Sequence, residues 1–542
     1  MKKIFIVLIL FSFVLHSCKT TEQADSLFVH ARVHSMDSAM HEYEAFVVKN
    51  GKILALGDEK ILSTKYEVKE KIDLGNSHVY PGFIDAHCHF FGLGMFLQQV
   101  DLSGSLSMEE ITDRCMKFSA GSSSKFLRGR GWDQNLFANK EFPDNTLLNA
   151  AFPDIPVFLK RVDGHAAIVN DYLLNLAGIQ SSSQIPGGEI ILKNGKPSGV
   201  ILDEAADYVE RFLPAYSRSA YVQALLKAQA ECFDYGLSSV QDAGLDPEII
   251  ELIDSLQSAG TLKIRMNAML SISRANFNYL DSIGGIHKDR LKVHSFKMYG
   301  DGALGSRGAC LKKHYTDRPG HYGFLISSPD TLEAMVQLIA KSKFQLNTHC
   351  IGDSTNAFIL KLYNQYLPEN NDRRWRIEHA QVVQEQDRDL FGKRNIIPSV
   401  QPTHATSDMK WAPDRLGKER IHTAYAYKDL LKQNNWIPLG TDFPVEAVSP
   451  FYTFDAAVSR KDANGFPLKG FLPEQALSRE EALKGMTIWA AKAGFEEDEI
   501  GSLEPGKMAD FIVLDIDLMK HDLYKIRNLK AKELYVSGER VK

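Results

Sequence analysis

His87 and His89 stand two residues apart in PGFIDAHCHFFG, straight after an apolar run. Side chains alternate across a strand, so both imidazoles face the same way. Polar groups in such a place are costly to bury unless something binds them, and neutral imidazole is a common zinc ligand. The pair alone also suits two hydrogen-bonded core histidines. His349 in NTHCIGD, His379 in RIEHAQ, Asp442 in GTDFPV and Lys297 in HSFKMYGDGALGSR extend the pattern. Singly, each has an ordinary reading: a satisfied core histidine, an aspartate capping a turn, a lysine carrying its head outward. Together they fall at the same end of successive strand candidates, where unrelated residues would scatter.

Those candidates are apolar segments at 78–89, 236–244, 262–270, 291–302, 344–353, 374–381, 396–404 and 436–445, separated by helical stretches. Alternation of this kind over this length predicts an α/β fold, a (β/α)8 TIM barrel over about 81–499. A doubly wound open sheet is the alternative, but no Gly-rich nucleotide turn follows the first strand. About 95–235 is far more chain than one crossover helix needs, and reads as an insertion that shapes a pocket. The ends, 27–80 and 500–542, carry short β-type runs and turn signals such as Asn50-Gly51. They are expected to form one small β-sandwich domain together.

The 542 residues carry a formal net charge of -5 with no long basic run, which gives nucleic-acid binding no support. Lys2 and Lys3 precede an apolar stretch from Ile4 to Leu15, too short to span a bilayer and suited to a signal peptide. Leu15-His16-Ser17-Cys18 resembles a bacterial lipobox, with His16 an atypical occupant. Residues 1–18 are thus read as a lipoprotein signal, Cys18 as the lipidated residue and 19–26 as a tether. This predicts an exported protein held at a membrane surface, on the periplasmic or cell-surface side. An ordinary secretory signal with a chance cysteine is the alternative. The remaining cysteines show no CxxC spacing and read as buried thiols.

The phrases PGFIDAHCHF, GRGWD, KMYGDGALGSR, HCIGD, RIEHAQ, SVQPTH and GTDFPVE resemble the amidohydrolase superfamily, in its family 3 branch, which includes YtcJ-like proteins and N-substituted formamide deformylases. The resemblance runs from about residue 27 to 542. It implies that His87, His89 and Asp442 hold one divalent metal, and His349 and His379 a second. Lys297, N-carboxylated, would bridge them. Zinc is the expected ion, with iron or manganese also fitting. The implied reaction is hydrolysis of a C–N bond in an amide, formamide or cyclic amide by a metal-bound hydroxide, with Asp442 moving the proton. A same-fold hydrolase of esters or other bonds, or a non-catalytic ligand-binding lipoprotein, are the alternatives. Trp132, Asp133, His165, Asp301, Arg307 and His404 are candidate contacts for a small-molecule substrate, each with a plain packing or loop-fixing reading beside it.

Overall fold

The computed structural model describes residues 21–121, 125–161, 166–185 and 188–542. Cys18 and His165 lie outside the described residues. The central sheet consists of β1 (Phe83–Cys88), β2 (Leu237–Leu245), β3 (Arg265–Ser271), β4 (Leu291–Tyr299), β5 (Gln345–Cys350), β6 (Arg376–His379) and β7 (Ile397–Ser399). These pair in parallel in chain order. Helices such as Pro247–Ser258, Pro329–Ala340 and Asp353–Tyr366 run between them. The strands are buried almost throughout, as parallel strands covered on both faces must be, although they carry polar residues as well as apolar ones.

The eighth expected strand is different. Residues 437–443 form no regular ladder, yet they close the gap between β7 and β1. Gly440 N donates to Val400 O at 3.0 Å on one side; Ala86 N donates to Leu439 O at 3.1 Å and Asp442 N to His87 O at 2.8 Å on the other. A Cβ on Gly440 would stand 2.6 Å from His87 N, so only glycine admits this approach. The result is a nearly closed parallel barrel.

The chain ends share one sheet of eight strands, in which Phe511–Leu514 lies against Tyr66–Pro81 and Tyr66–Pro81 against Glu22–His34. The expected β-sandwich is thus drawn by hydrogen bonding as one continuous sheet. It is strongly curled. Phe28 and Tyr535 stand on strands three steps apart, about 14 Å in a flat sheet, yet their rings meet at 5.4 Å. Two boundaries shift. The segment expected as a tether to residue 26 is already strand from Glu22, paired with Tyr66. The first barrel strand does not begin at 78: that stretch completes Tyr66–Pro81, and the chain enters the barrel at Gly82.

The insertion has its own architecture, which no strand period in the sequence disclosed. Six strands, including Leu127–Trp132, Val157–Arg161 and Lys196–Asp203, form a third sheet with its own core around Ile111, Leu148 and Leu159. Helix Arg218–Asp234 then returns the chain to β2, packing on helix Phe90–Phe96 so closely that Gly94 has no room for a Cβ beside Ala224 O.

Candidate metal centre

The parallel strands all present their C-terminal ends to one rim, the place where barrel folds collect reactive groups. His87 sits near the end of β1, with His89 just beyond it, N-capping helix Phe90–Phe96. Lys297 points inward from β4, 1% exposed, with Nζ 3.1 Å from His87 Nε2. The His87 and His379 rings meet at 4.8 Å, and those of His349 and His379 at 4.6 Å. Asp442 Oδ1 lies 3.2 Å from His89 Nε2 and 3.6 Å from His87 Nε2. All six side chains therefore converge.

His404, expected as a substrate contact or a structural histidine, joins them. Its Nε2 is 3.1 Å from Asp442 Oδ2 and its Nδ1 3.3 Å from Glu446 Oε1. Burial works against charging His404, but the two carboxylates prevail and hold its pKa up to about 10. Burial works to raise Asp442, and the contacts with His404 and His89 nevertheless keep it well below the usual carboxylate range.

Two further side chains orient the imidazoles, and neither stood out in the sequence. Glu378 Oε2 lies 2.5 Å from His87 Nδ1, and Gln401 Oε1 lies 2.7 Å from His379 Nδ1. Each contact places the ring proton on Nδ1 and leaves Nε2 as the lone pair facing the cavity, the usual support for metal-binding histidine. Burial disfavours a charged Glu378, but the adjoining His87 brings its pKa down to about 2. Strict alternation would turn Glu378 and His379 to opposite faces. His379 adopts φ +71°, followed by Ala380 at +42°, and this left-handed break lets both approach His87. Asp442, at φ +65°, is the third such residue at the rim. Each costs about 1–2 kcal/mol in an L-residue, which elsewhere in the fold must offset.

The donor set fits a divalent cation. His349 Nε2 and Asp442 Oδ1 are buried and make no hydrogen bond among the described residues. Two three-residue groupings around the shared Asp442 have ligand atoms within 4.8 Å of one another: His87 with His89, and His379 with His404. Lys297 is disfavoured as a cation here: burial drives its pKa below the usual lysine value, against the opposing pull of Glu378 and Asp442.

The remaining sequence candidates fall elsewhere. Trp132, read as a substrate contact, is corrected: it is fully buried in the insertion core, its indole N–H donating to Leu159 O at 2.7 Å. Asp133 meets Arg161 at 2.5 Å within the insertion. Asp301 fixes the loop after β4, accepting from the amides of Ile351 (3.0 Å), Gly352 (2.8 Å) and Cys310 (2.9 Å), and is fully buried. Arg307 pairs with Asp317 at 2.8 Å, which also engages Arg415. Loop-fixing is what both do in this structure. Tyr299, two residues beyond Lys297, was not singled out; its ring lies 5.1 Å from Lys297 Nζ and is 40% exposed at the rim.

A family model described as amidohydrolase family matches residues 70–542. YtcJ of Bacillus subtilis (strain 168) is 30% identical over 507 residues, covering 92% of this chain and 95% of that protein. An N-substituted formamide deformylase of Arthrobacter pascens is 25% identical over 545 residues, covering 96% and 98%. The crystal structure of a metal-dependent hydrolase from Pyrococcus horikoshii OT3 superposes with a TM-score of 0.78 at 29% identity, covering 92% of this chain and 99% of that one. Rim geometry, sequence and backbone agree over nearly the whole chain, which belongs to the amidohydrolase family and is a metal-dependent hydrolase.

Proposed function

We propose that the chain hydrolyses a C–N bond of an amide, formamide or cyclic amide, using two divalent ions, zinc by preference. The observation that carries this reading is the meeting of His87, His89, His349, His379 and Lys297 near an Asp442 oxygen that has no hydrogen bond among the described residues. His87, His89 and Asp442 would hold one ion and His349 and His379 the other. His404, close to Asp442, is placed to steady that carboxylate or to meet substrate. When bound, such ions polarise the scissile carbonyl and lower the pKa of the attacking water toward about 7.

Asp442 has the proton-handling role. Its free oxygen accepts a proton from the attacking water, and the same carboxyl returns it to the departing amine nitrogen. Lys297 suits a bridging carbamate. Burial favours its neutral amine, and only that form adds carbon dioxide, releasing a proton and becoming an anion among the imidazoles. The name of the Arthrobacter pascens relative supports a formamide or related amide. The insertion and Tyr299 would bound the substrate.

We further infer that residues 1–18 direct export and that Cys18 carries the lipid, holding the enzyme at a membrane surface. The apolar stretch from Ile4 to Leu15 ahead of Cys18 supports this. Mass spectrometry of the mature N-terminus tests it: a diacylated Cys18 is expected, and an unmodified N-terminus would refute it.

The reaction is tested by metal analysis of purified protein followed by a matched panel of N-formyl amines, N-acyl amines and esters. Metal-dependent release of amine is expected. Ester turnover without amide turnover would reject the C–N assignment, and an inert, metal-free folded protein would reject catalysis.

A further inference from the structure

A second histidine cluster lies outside the rim, within the curled sheet of the chain ends. His34 ends strand Glu22–His34, and His78 lies on the adjacent parallel strand Tyr66–Pro81, where Arg32 is its register partner. Both are nearly buried, 6% and 7% exposed. His34 Nε2 faces His78 Nδ1 at 2.9 Å, nitrogen to nitrogen, and Asp517 brings a carboxylate to the same point from the turn after Phe511–Leu514. One ligand atom from each of the three lies within 4.8 Å of the others.

We propose that His34, His78 and Asp517 form a separate zinc site that clips the two chain ends together. Two nitrogens on one tetrahedral zinc, each about 2.0–2.1 Å from the ion, stand about 3.4 Å apart. The observed separation needs only half an ångström of spreading. Neutral imidazoles are required, and burial lowers both pKa values, His34 against the opposing pull of Glu42 and His78 against that of Asp517.

The surrounding shell is already built. Glu42, directly opposite His34 across an antiparallel ladder, places Oε1 3.5 Å from His34 Nδ1, an ion-pair contact that favours the ring proton on that side, away from His78. Tyr80 stacks on His34 with ring centroids 4.3 Å apart and donates its hydroxyl to Asp517 Oδ1 at 3.0 Å. Met519 N also donates to Oδ1, at 2.8 Å, so Oδ2 is the oxygen left for the ion. Its present partner is Lys520, at 3.2 Å and largely in solvent, which an incoming cation would displace. A cleft of about 290 Å³ bordered by His34, His78, Glu42 and Asp517 gives the ion and a completing water a way in. On binding, His78 moves its ring proton to Nε2, so both facing nitrogens present lone pairs. The three ligands come from residues 34, 78 and 517, so an ion here ties two strands of the N-terminal part of the chain to the turn after Phe511–Leu514.

The test uses full-length protein stripped with chelator and titrated with zinc chloride, with bound metal counted by plasma emission. His34→Gln and His78→Gln should each hold one zinc fewer than the parent, retain its hydrolytic rate, and lose part of the zinc-dependent rise in thermal midpoint. Equal stoichiometry in folded variants would overturn the site. If neither variant folds, parent crystals soaked in zinc decide the matter. An anomalous peak between His34 and His78 supports the clip, and a bare pair beside occupied rim ligands refutes it.

Discussion

The rim and the curled end sheet both gather histidines around an aspartate, but they hold them differently. At the rim the donors come from β1, β4, β5, β6 and the segment after β7, and two of them, His379 and Asp442, sit in left-handed backbone. His349 Nε2 and Asp442 Oδ1 there make no hydrogen bond among the described residues. In the end sheet, His34 and His78 lie on directly paired strands, in ordinary extended backbone, with nearly every polar atom partnered. Strain and unsatisfied donors mark a site kept ready for reaction. Their absence marks one whose binding energy can go into holding the fold.

The sharpest way to break this contrast is to remove reactivity at the rim without removing metal. Asp442→Asn keeps the shape and loses the base. Turnover should fall by about 10²–10⁴-fold, the usual worth of a positioned proton carrier, while metal content stays near the parent's. Near-normal turnover would take the proton-handling role away from Asp442. Next in size is Glu378→Gln, which leaves His87 without its anionic partner 2.5 Å away. Metal affinity at the rim should weaken about 10–100-fold, read by competition with a chromogenic chelator. If affinity is unchanged, the tautomer of His87 is set by something else. Zinc bound in the end sheet should not respond to either change.

Much of the rim was legible in the sequence because the barrel imposes a rule: reactive groups collect at the strand ends, all at one level. His87, His89, Lys297, His349, His379 and Asp442 follow it. Glu378 was not legible, because in an unbroken strand it would face away from His379; the φ of +71° that reorients the pair has no sequence mark. Gln401 looked like any polar residue before a proline. Trp132 looked like a pocket aromatic because the insertion's separate core could not be inferred from one chain. His34 and His78, 44 positions apart, meet only because their two strands pair in parallel, and no local motif carries that information.

A smaller effect probes the strain itself. Ala380, at φ +42° and 1% exposed, follows His379 in the break that turns β6. Ala380→Gly removes about 1–2 kcal/mol of left-handed strain but adds about 0.5–1 kcal/mol of unfolded-chain entropy. A net gain of about 0–1.5 kcal/mol is expected, seen as a rise of no more than about 3 °C in the thermal midpoint. A fall would mean that the methyl group's packing outweighs its backbone cost. No residue of the end-sheet cluster offers a corresponding gain, since none of its three ligands has a positive φ.

The smallest expected effect separates the two clusters by pH. In the end sheet, burial lowers the pKa of both His34 and His78 below 6.5, the value the unfolded chain would show. Below pH 6.5 the unfolded chain therefore binds protons that the folded sheet refuses, so stability falls as pH falls from 6.5 toward the folded values. Glu42 and Asp517 oppose that shift, and Arg32 and Lys520 reinforce it at one or both histidines. Metal-free protein should show hydrogen exchange in Glu22–His34 and Tyr66–Pro81 that, corrected for intrinsic rates, is faster at pH 5.5 than at pH 7.5. Zinc should suppress the difference, because a ligated imidazole cannot take the proton until acid competes the metal away. His78→Gln should flatten the profile even without metal. If the parent's exchange is equally slow at both pH values, the two imidazoles do not carry the shifted titration.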